Sequence, residues 1–125
     1  MNNLCDKLQE VCHTLGYKIK DIDNDVIIIR YQLHAIYIYY NEEMPDDCTV
    51  MIAIKKDVPE EERMQVLERC NVLNERLKYF KYYILGPGVV ATIEFRFRDT
   101  EHLAFQLEQA VPSLSQAKKI FEQED

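Results

Sequence analysis

One segment near the carboxyl end constrains the fold more than any other, because residues 89–98 alternate between two kinds of side chain. Every second residue is apolar and those between are mostly polar: Val89, Ala91, Ile93, Phe95 and Phe97 form the first set, and Val90, Thr92, Glu94, Arg96 and Arg98 the second. Alternation with a period of two is typical of a strand with one face buried and one face in water. We therefore expect a sheet with its core on one side.

The other strands follow from turns and composition. Gly86-Pro87-Gly88 is typical of a hairpin turn, so the segment 80–85 is expected to pair with the strand after it. Segments rich in β-branched and aromatic residues predict strands at 26–31, 35–40 and 49–55. A short edge strand is expected at 17–22, before a turn at Asp23-Asn24.

Apolar residues at helical spacing predict three helices. The first runs from about residue 3 to Leu15 and ends at Gly16. The second begins at Pro59, with three glutamates near the positive end of its dipole. Its expected core stripe is Met64, Val66, Leu67, Cys70, Leu73 and Leu77.

The last predicted helix carries a proline within its apolar stripe, which is Leu103, Leu107, Ala110, Leu114, Ala117 and Phe121. An interior proline costs roughly 3 kcal/mol and bends or ends a helix. Either the helix bends at Pro112 or a second helix starts there. Because the stripe keeps its register through Pro112, we expect a kink.

The resulting order of elements, α-β-β-β-β-α-β-β-α, indicates an α+β fold in two layers, an antiparallel sheet with helices packed on one face. The 125 residues are enough for one core and too few for two. Residues 1–125 are therefore expected to form a single domain.

Charge and hydropathy exclude several classes of partner. The formal charge is −7, and an acidic surface repels phosphate backbones, so we expect no nucleic-acid partner. The longest apolar run, residues 35–40, is too short to cross a bilayer. The amino end is polar and lacks the pattern of a secretory signal. We expect a cytoplasmic protein that does not bind membranes.

The sequence shows no pattern of a catalytic or metal site. The three histidines stand in separate elements, and the four cysteines lack the close pairing of a zinc site. Cys48 is the best candidate nucleophile, but two neighbouring aspartates would raise its pKa, the wrong direction for that role. The acidic residues of segment 21–25 copy the start of a calcium loop without its glycine. We expect reduced thiols, no catalytic residue, no metal and no cofactor.

Tyrosines give the strongest sign of a binding surface. Tyr37 and Tyr39 share one face of a predicted strand, opposite Ile36 and Ile38, and would lie on the open face of the sheet if the isoleucines pack under the helices. Exposed aromatic residues beside arginines match the composition of protein interfaces. Tyrosine also simply suits strands, so the alternative of a structural role stays open. The predicted protein-binding residues are Tyr37, Tyr39, Arg96, Arg98 and Phe121.

Phe121 belongs to that set for a separate reason. The apolar stripe from Leu103 to Phe121 offers more apolar length than a small sheet covers, and Phe121 follows the expected kink. We therefore expect Phe121 to face a partner in a twofold homodimer. The alternative is that the whole last helix packs on its own sheet.

The segment from Asn71 to Leu77, the strand Phe80-Lys81-Tyr82-Tyr83-Ile84 after it, the hairpin and the amphipathic last helix together resemble the YbjN-like family of bacterial proteins. That family is described as regulators of sensory transduction and shares the fold of type III secretion chaperones. The resemblance implies a protein that is not an enzyme and that binds other proteins, often as a dimer. It implies no active-site residues.

Taken together, the sequence predicts a protein-interaction module with a chaperone-like or regulatory role, binding an unidentified protein through an exposed sheet face or a helix groove. The alternative is a small enzyme or ligand-binding domain with a pocket between helices and sheet. A deep pocket holding a histidine or cysteine within hydrogen-bond reach of a partner would favour that alternative.

Overall fold

The computed structural model describes residues 3–123 as one sheet with helices. Along the chain the elements are α1 Leu4–Leu15, β1 Lys18–Asp23, β2 Val26–Tyr31, β3 His34–Tyr40, β4 Asp47–Lys55, a 3-10 turn Glu60–Glu62, α2 Arg63–Arg76, β5 Lys81–Leu85, β6 Gly88–Arg96, α3 Thr100–Leu114 and α4 Ala117–Glu122. The predicted α+β class and the predicted order of strands and helices are confirmed.

All neighbouring strands of the sheet run antiparallel, in the order β1-β2-β3-β4-β6-β5. The core lies on one face, where side chains of the four central strands are almost fully buried: Ile27, Ile29, Ile36, Ile38, Val50, Ile52, Ala91 and Ile93. The helices cover this face through residues of the same cluster, among them Leu8, Cys70, Leu107 and Phe121. The arrangement is the predicted two-layer one.

The two glycines of the last hairpin have different roles. Gly86 has a φ of 61°, a left-handed value that glycine adopts without steric cost. At Gly88 a Cβ atom would lie 2.5 Å from the backbone oxygen of Lys55, so β6 approaches the end of β4 too closely for any side chain. The predicted hairpin turn is confirmed, and the absence of a side chain at Gly88 also allows β6 to lie close to the end of β4.

Strand β6 departs from the expectation of one wet face. Val90 and Thr92 point away from the helices, yet only 6% and 5% of their surfaces are exposed. Val90 lies opposite Tyr83 of β5, and Thr92 lies opposite Met51 of β4, so a larger side chain on a neighbouring strand covers each of them. The expectation of a wet face is wrong for the middle of the strand.

Helix α2 has a narrower buried stripe than expected. Val66, Cys70 and Leu73 are buried, but Met64 is 67% exposed and Leu67 is 43% exposed. This helix packs on β5, which is an edge strand, so little sheet lies beneath it. Placing Met64 and Leu67 in the core was therefore wrong.

The last helix divides after Pro112 and not at it. Helix α3 continues through Pro112 to Leu114, and α4 begins at Ala117 after a short turn. The whole predicted stripe is buried within the chain, including Phe121, which is 7% exposed. The expectation that Phe121 faces outward is wrong, since a sheet of this width covers both helices.

Among residues 3–123, none of the helices combines the length and the apolar character that crossing a bilayer requires.

Candidate protein-interaction face

The face of the sheet opposite the helices is the candidate functional site, and we call it the open face. Its central residues come from β2, β3, β4 and β5, because alternate residues of those strands point away from the core. They are partly exposed or covered only by one another: Ile28, Tyr37, Tyr39, Met51 and Tyr83.

Two stacked tyrosine rings form the centre of the open face. The ring centroids of Tyr37 and Tyr39 lie 6.4 Å apart, and the ring planes differ by 15°. Tyr37 lies opposite Met51 on β4, whose side chain is nearly buried although no helix of the described residues lies on this face. Tyr39 remains 37% exposed. The tyrosines thus cover a small apolar layer while presenting aromatic surface to water.

The pKa of Tyr39 is raised from its ordinary value, chiefly because partial burial disfavours the phenolate, and further by the nearby phenols of Tyr37 and Tyr83. The Tyr39 ring therefore carries a neutral hydroxyl group near neutral pH, which donates and accepts hydrogen bonds. Neutral tyrosines combine apolar area with a polar tip, a property that makes them common in interfaces.

Arg96 lies at the rim of the open face. Its Nε atom is 3.0 Å from Oδ1 of Asp47, and the arginine side chain is 80% exposed. An ion pair this exposed contributes little to stability. Arg96 therefore remains available to a partner at the edge of the aromatic patch.

The other two predicted site residues lie elsewhere. Arg98 follows the end of β6, where its backbone N–H donates to Nδ1 of His102 at 3.0 Å. Phe121 packs in the core against Tyr82, with ring centroids 5.4 Å apart. The structure thus brings Tyr37, Tyr39 and Arg96 to one face and separates Arg98 and Phe121 from it.

A pocket of about 540 Å³ lies between the first turns of α1 and α3. Glu42 lines this pocket, and its carboxylate accepts hydrogen bonds from the backbone N–H groups of Leu4 and Cys5 at 3.0 and 3.3 Å. Asp99 caps α3 in the same way through the N–H of His102. Acidic side chains therefore already satisfy backbone donors at both helix starts, and neither histidine nor cysteine is among the described residues that line the pocket.

The buried thiols of Cys12 and Cys48 lack the lowered pKa of a nucleophile. Burial raises the pKa of Cys12 to about 11 and that of Cys48 to about 12. For Cys48 the cause is burial and then the nearby Cys12, and not the two aspartates invoked from the sequence. Across residues 3–123, no three histidine, cysteine or acidic side chains cluster in a way that could hold a metal ion.

Comparison with known families gives the decisive match. A family model described as "YbjN: Putative bacterial sensory transduction regulator" matches residues 4–117. The chain belongs to the YbjN family. The description of this family is regulatory, and the predicted resemblance is confirmed.

One solved relative shares the family fold. The crystal structure of YbjN, described as "a putative transcription regulator from E. coli", aligns with a TM-score of 0.66 over 94% of this chain and 87% of that one. The two sequences are 12% identical, so this likeness shows the fold alone. No curated protein matches the chain.

Within this YbjN family chain, the sequence reasoning missed two members of the open face. Met51 alternates with the core residues Val50 and Ile52, but its place opposite Tyr37 depends on strand register. Tyr83 lies in the predicted strand 80–85 and is 39% exposed on the open face. The alternation in β4 and β5 indicates which side chains share a face of each strand. Only the order of the strands shows that Met51 and Tyr83 lie on the same face of the sheet as the two tyrosines of β3.

Proposed function

We propose that this chain is a non-enzymatic regulator that binds a partner protein through its open face. The observation that carries the proposal is the stacked pair of Tyr37 and Tyr39 on a sheet face that no described helix covers. Contiguous aromatic surface rimmed by charged residues is typical of protein-binding sites. The regulatory description of the YbjN family supports the same class of function.

The chemistry of the face favours a partner with an apolar surface. The aromatic rings of Tyr37, Tyr39 and Tyr83 supply partly exposed apolar surface at the centre of this face. Arg96 at the rim would add a charge-assisted hydrogen bond to a carboxylate or carbonyl of the partner. A chaperone-like role, holding an apolar segment of another protein, fits these properties.

The alternative of a small enzyme has weaker support. The pocket between α1 and α3 is lined by charged and capping residues whose hydrogen bonds serve the helix ends. The raised pKa values of Cys12 and Cys48 keep both thiols protonated near neutral pH. Neither feature supplies an activated nucleophile or a base poised to act.

The test is recovery of the partner from cells of the source organism. Tagged wild-type protein and a Tyr37→Ser, Tyr39→Ser double variant are used as baits, and the proteins recovered are identified by mass spectrometry. Phe105→Ser is the matched control, because Phe105 is 60% exposed on α3, far from the sheet face. We expect a protein recovered with the wild type and the control, and lost with the double variant.

Equal recovery with all three baits would contradict the proposal. So would a small molecule that copurifies with the wild type and whose turnover the protein accelerates. Both variants must keep the wild-type melting behaviour for the comparison to hold, and thermal unfolding of each bait checks this.

A further inference from the structure

The two edges of the sheet differ in how they are protected. At the β5 edge, the side-chain amide of Asn74 bonds both backbone groups of Tyr82, so a helix occupies the place where another strand would add. At the β1 edge, residues 18–23 pair only with β2 in the part of the chain that the structure describes. An edge strand with unpaired backbone groups is a template for a further strand.

The sequence of β1 is complementary to its own reverse. It reads Lys-Ile-Lys-Asp-Ile-Asp from Lys18 to Asp23. When two copies pair antiparallel about a twofold axis between residues 20 and 21, Lys18 lies opposite Asp23, Ile19 opposite Ile22, and Lys20 opposite Asp21. Every charged residue then meets the opposite charge, and the two apolar residues meet each other. Opposite charges across a strand pair are favourable, and like charges are not.

An irregularity in β1 is required for this pairing to work. Residues directly opposite each other in an antiparallel ladder point to the same face. In an uninterrupted strand Lys18 and Asp23 would point to opposite faces. The register with β2 shifts between Ile19 and Asp21, so Lys20 is an extra residue.

The shift brings the faces into agreement. Lys18 and Asp23 lie opposite Arg30 and Val26, which are on the open face. Ile19 and Ile22 lie opposite Ile29 and Ile27, whose buried side chains belong to the core face. Both predicted pairs therefore consist of residues on one face.

Ile22 is an apolar residue of the β1 edge that a single chain leaves partly uncovered. Its side chain lies on the core face of the sheet and is nevertheless 41% exposed. Its backbone N–H bonds to Oδ1 of Asp21 at 2.9 Å. In the twofold pair, Ile19 of the second copy would cover this side chain, and the carboxylate of Asp21 would turn to the lysine opposite.

We propose that β1 pairs with β1 of a second copy of this chain, joining two sheets into one antiparallel sheet about a twofold axis. The charge pattern favours a second copy of β1 because this strand is complementary to its own reverse. It also selects the antiparallel direction, because parallel pairing in register sets lysine against lysine and aspartate against aspartate. Two chains that each carry −7 repel one another overall, so a locally balanced contact is favoured. This surface is separate from the open face, and the pairing leaves both open faces accessible.

The experiment exchanges charges across the axis. Lys20→Asp sets two aspartates opposite each other, and Asp21→Lys sets two lysines opposite each other, each twice per dimer. Sedimentation equilibrium at tens of micromolar is expected to show a wild-type dimer, with a dissociation constant raised about tenfold or more in either variant. When the two variants are mixed, aspartate again faces lysine, so a heterodimer is expected. The double variant Lys20→Asp, Asp21→Lys is expected to dimerise like the wild type.

Lys118→Asp is the control, since Lys118 is exposed on α4 and the substitution changes net charge by the same amount as Lys20→Asp. It is expected to leave the dimer unchanged. A monomeric wild type would overturn the proposal, as would a dimer that neither single variant weakens. Mixed variants that stay monomeric, or a control that weakens the dimer equally, would overturn it too, because the effect would then not arise from pairing at β1.

Discussion

The side-chain amide of Asn74 takes the place of a neighbouring strand for Tyr82. Its Nδ2 donates to the Tyr82 backbone oxygen at 2.9 Å, and its Oδ1 accepts from the Tyr82 N–H at 2.8 Å. These are the two groups that an edge strand leaves unpaired. A single asparagine on α2 therefore satisfies the middle of β5 and fixes the helix against the sheet.

Tyr82 continues this connection into the C-terminal helix. Its hydroxyl donates to the backbone oxygen of Ala117 at 2.6 Å, and its ring packs on Phe121. The guanidinium of Arg69 on α2 donates to the backbone oxygens of Ile120 and Phe121. Helices α2 and α4 are thus joined to β5 and to each other by hydrogen bonds as well as apolar contact.

The first prediction concerns Asn74. Asn74→Ala leaves a part-buried N–H and C=O of Tyr82 without their partner, and it is expected to lower the free energy of unfolding by about 1–3 kcal/mol. Asn71→Ala is the matched control, because Asn71 is exposed on the same helix, and alanine favours the helix there. Urea unfolding of both variants measures the difference. Equal stability of the two variants would mean that the amide does not serve the strand edge in solution.

The second prediction concerns the Tyr82 hydroxyl. Tyr82→Phe keeps the ring packing but removes the donor to the buried oxygen of Ala117, and it is expected to cost about 1–3 kcal/mol. Tyr83→Phe, one residue along on the open face, is expected to change stability by less than about 0.5 kcal/mol. Thermal and denaturant unfolding of both proteins checks this. A Tyr82→Phe variant as stable as the control would contradict the burial of the hydroxyl.

The third prediction is the pH dependence of that same group. Burial raises the pKa of Tyr82 from 10.0 to about 12, so between these values the folded chain keeps a proton that the unfolded chain has lost. The stabilisation is therefore complete below pH 10 and is lost as the pH rises towards 12. Tyr82→Phe lacks this group, so the stability advantage of the wild type is expected to be constant up to about pH 10 and to shrink above it. An advantage that stays constant through this range would contradict the raised pKa.

The strands were predictable because their signal is local. Alternation in residues 89–98 and the β-branched content of segments 26–31 and 35–40 reflect one buried face, which a sheet imposes whatever its neighbours are. Strand order is not local, so the sequence did not reveal that Met51 and Tyr83 flank β6 and bury Val90 and Thr92. Burial on the open face results from neighbours distant in sequence.

The helix faces were less predictable for a related reason. A stripe of apolar residues shows which side of a helix can be buried, and not how much sheet lies beneath it. Met64 and Leu67 extend the stripe of α2 beyond the edge strand and remain exposed, while the stripe of α3 and α4 crosses the wide part of the sheet and is fully covered. Three of the predicted site residues, Tyr37, Tyr39 and Arg96, share a face because the register of the strands places them there. The positions of Arg98 and Phe121 depend on tertiary contacts, which the sequence pattern does not show.

The fourth prediction tests the alternation in β6. Ile93 is 3% exposed on the core face, so Ile93→Ala is expected to cost about 2–5 kcal/mol through lost contacts and a cavity. Glu94→Ala, at the next position and exposed on the open face, is expected to cost less than about 0.5 kcal/mol. Denaturant unfolding separates the two. Similar costs would show that the two faces of this strand have been assigned incorrectly.

The last prediction places Phe121 in the core and not in an interface. Phe121→Asp puts a carboxylate among Tyr82 and the neighbouring apolar residues, where an unpaired charge is strongly unfavourable. Loss of the ring alone costs about 3–5 kcal/mol, so the variant is expected to be at least that much less stable or unfolded at room temperature. Phe105→Asp introduces the same change at a position that is 60% exposed, and it is expected to fold normally. Circular dichroism and urea unfolding distinguish the outcomes: a Phe121→Asp variant with wild-type stability would return this ring to the surface and to the predicted interface.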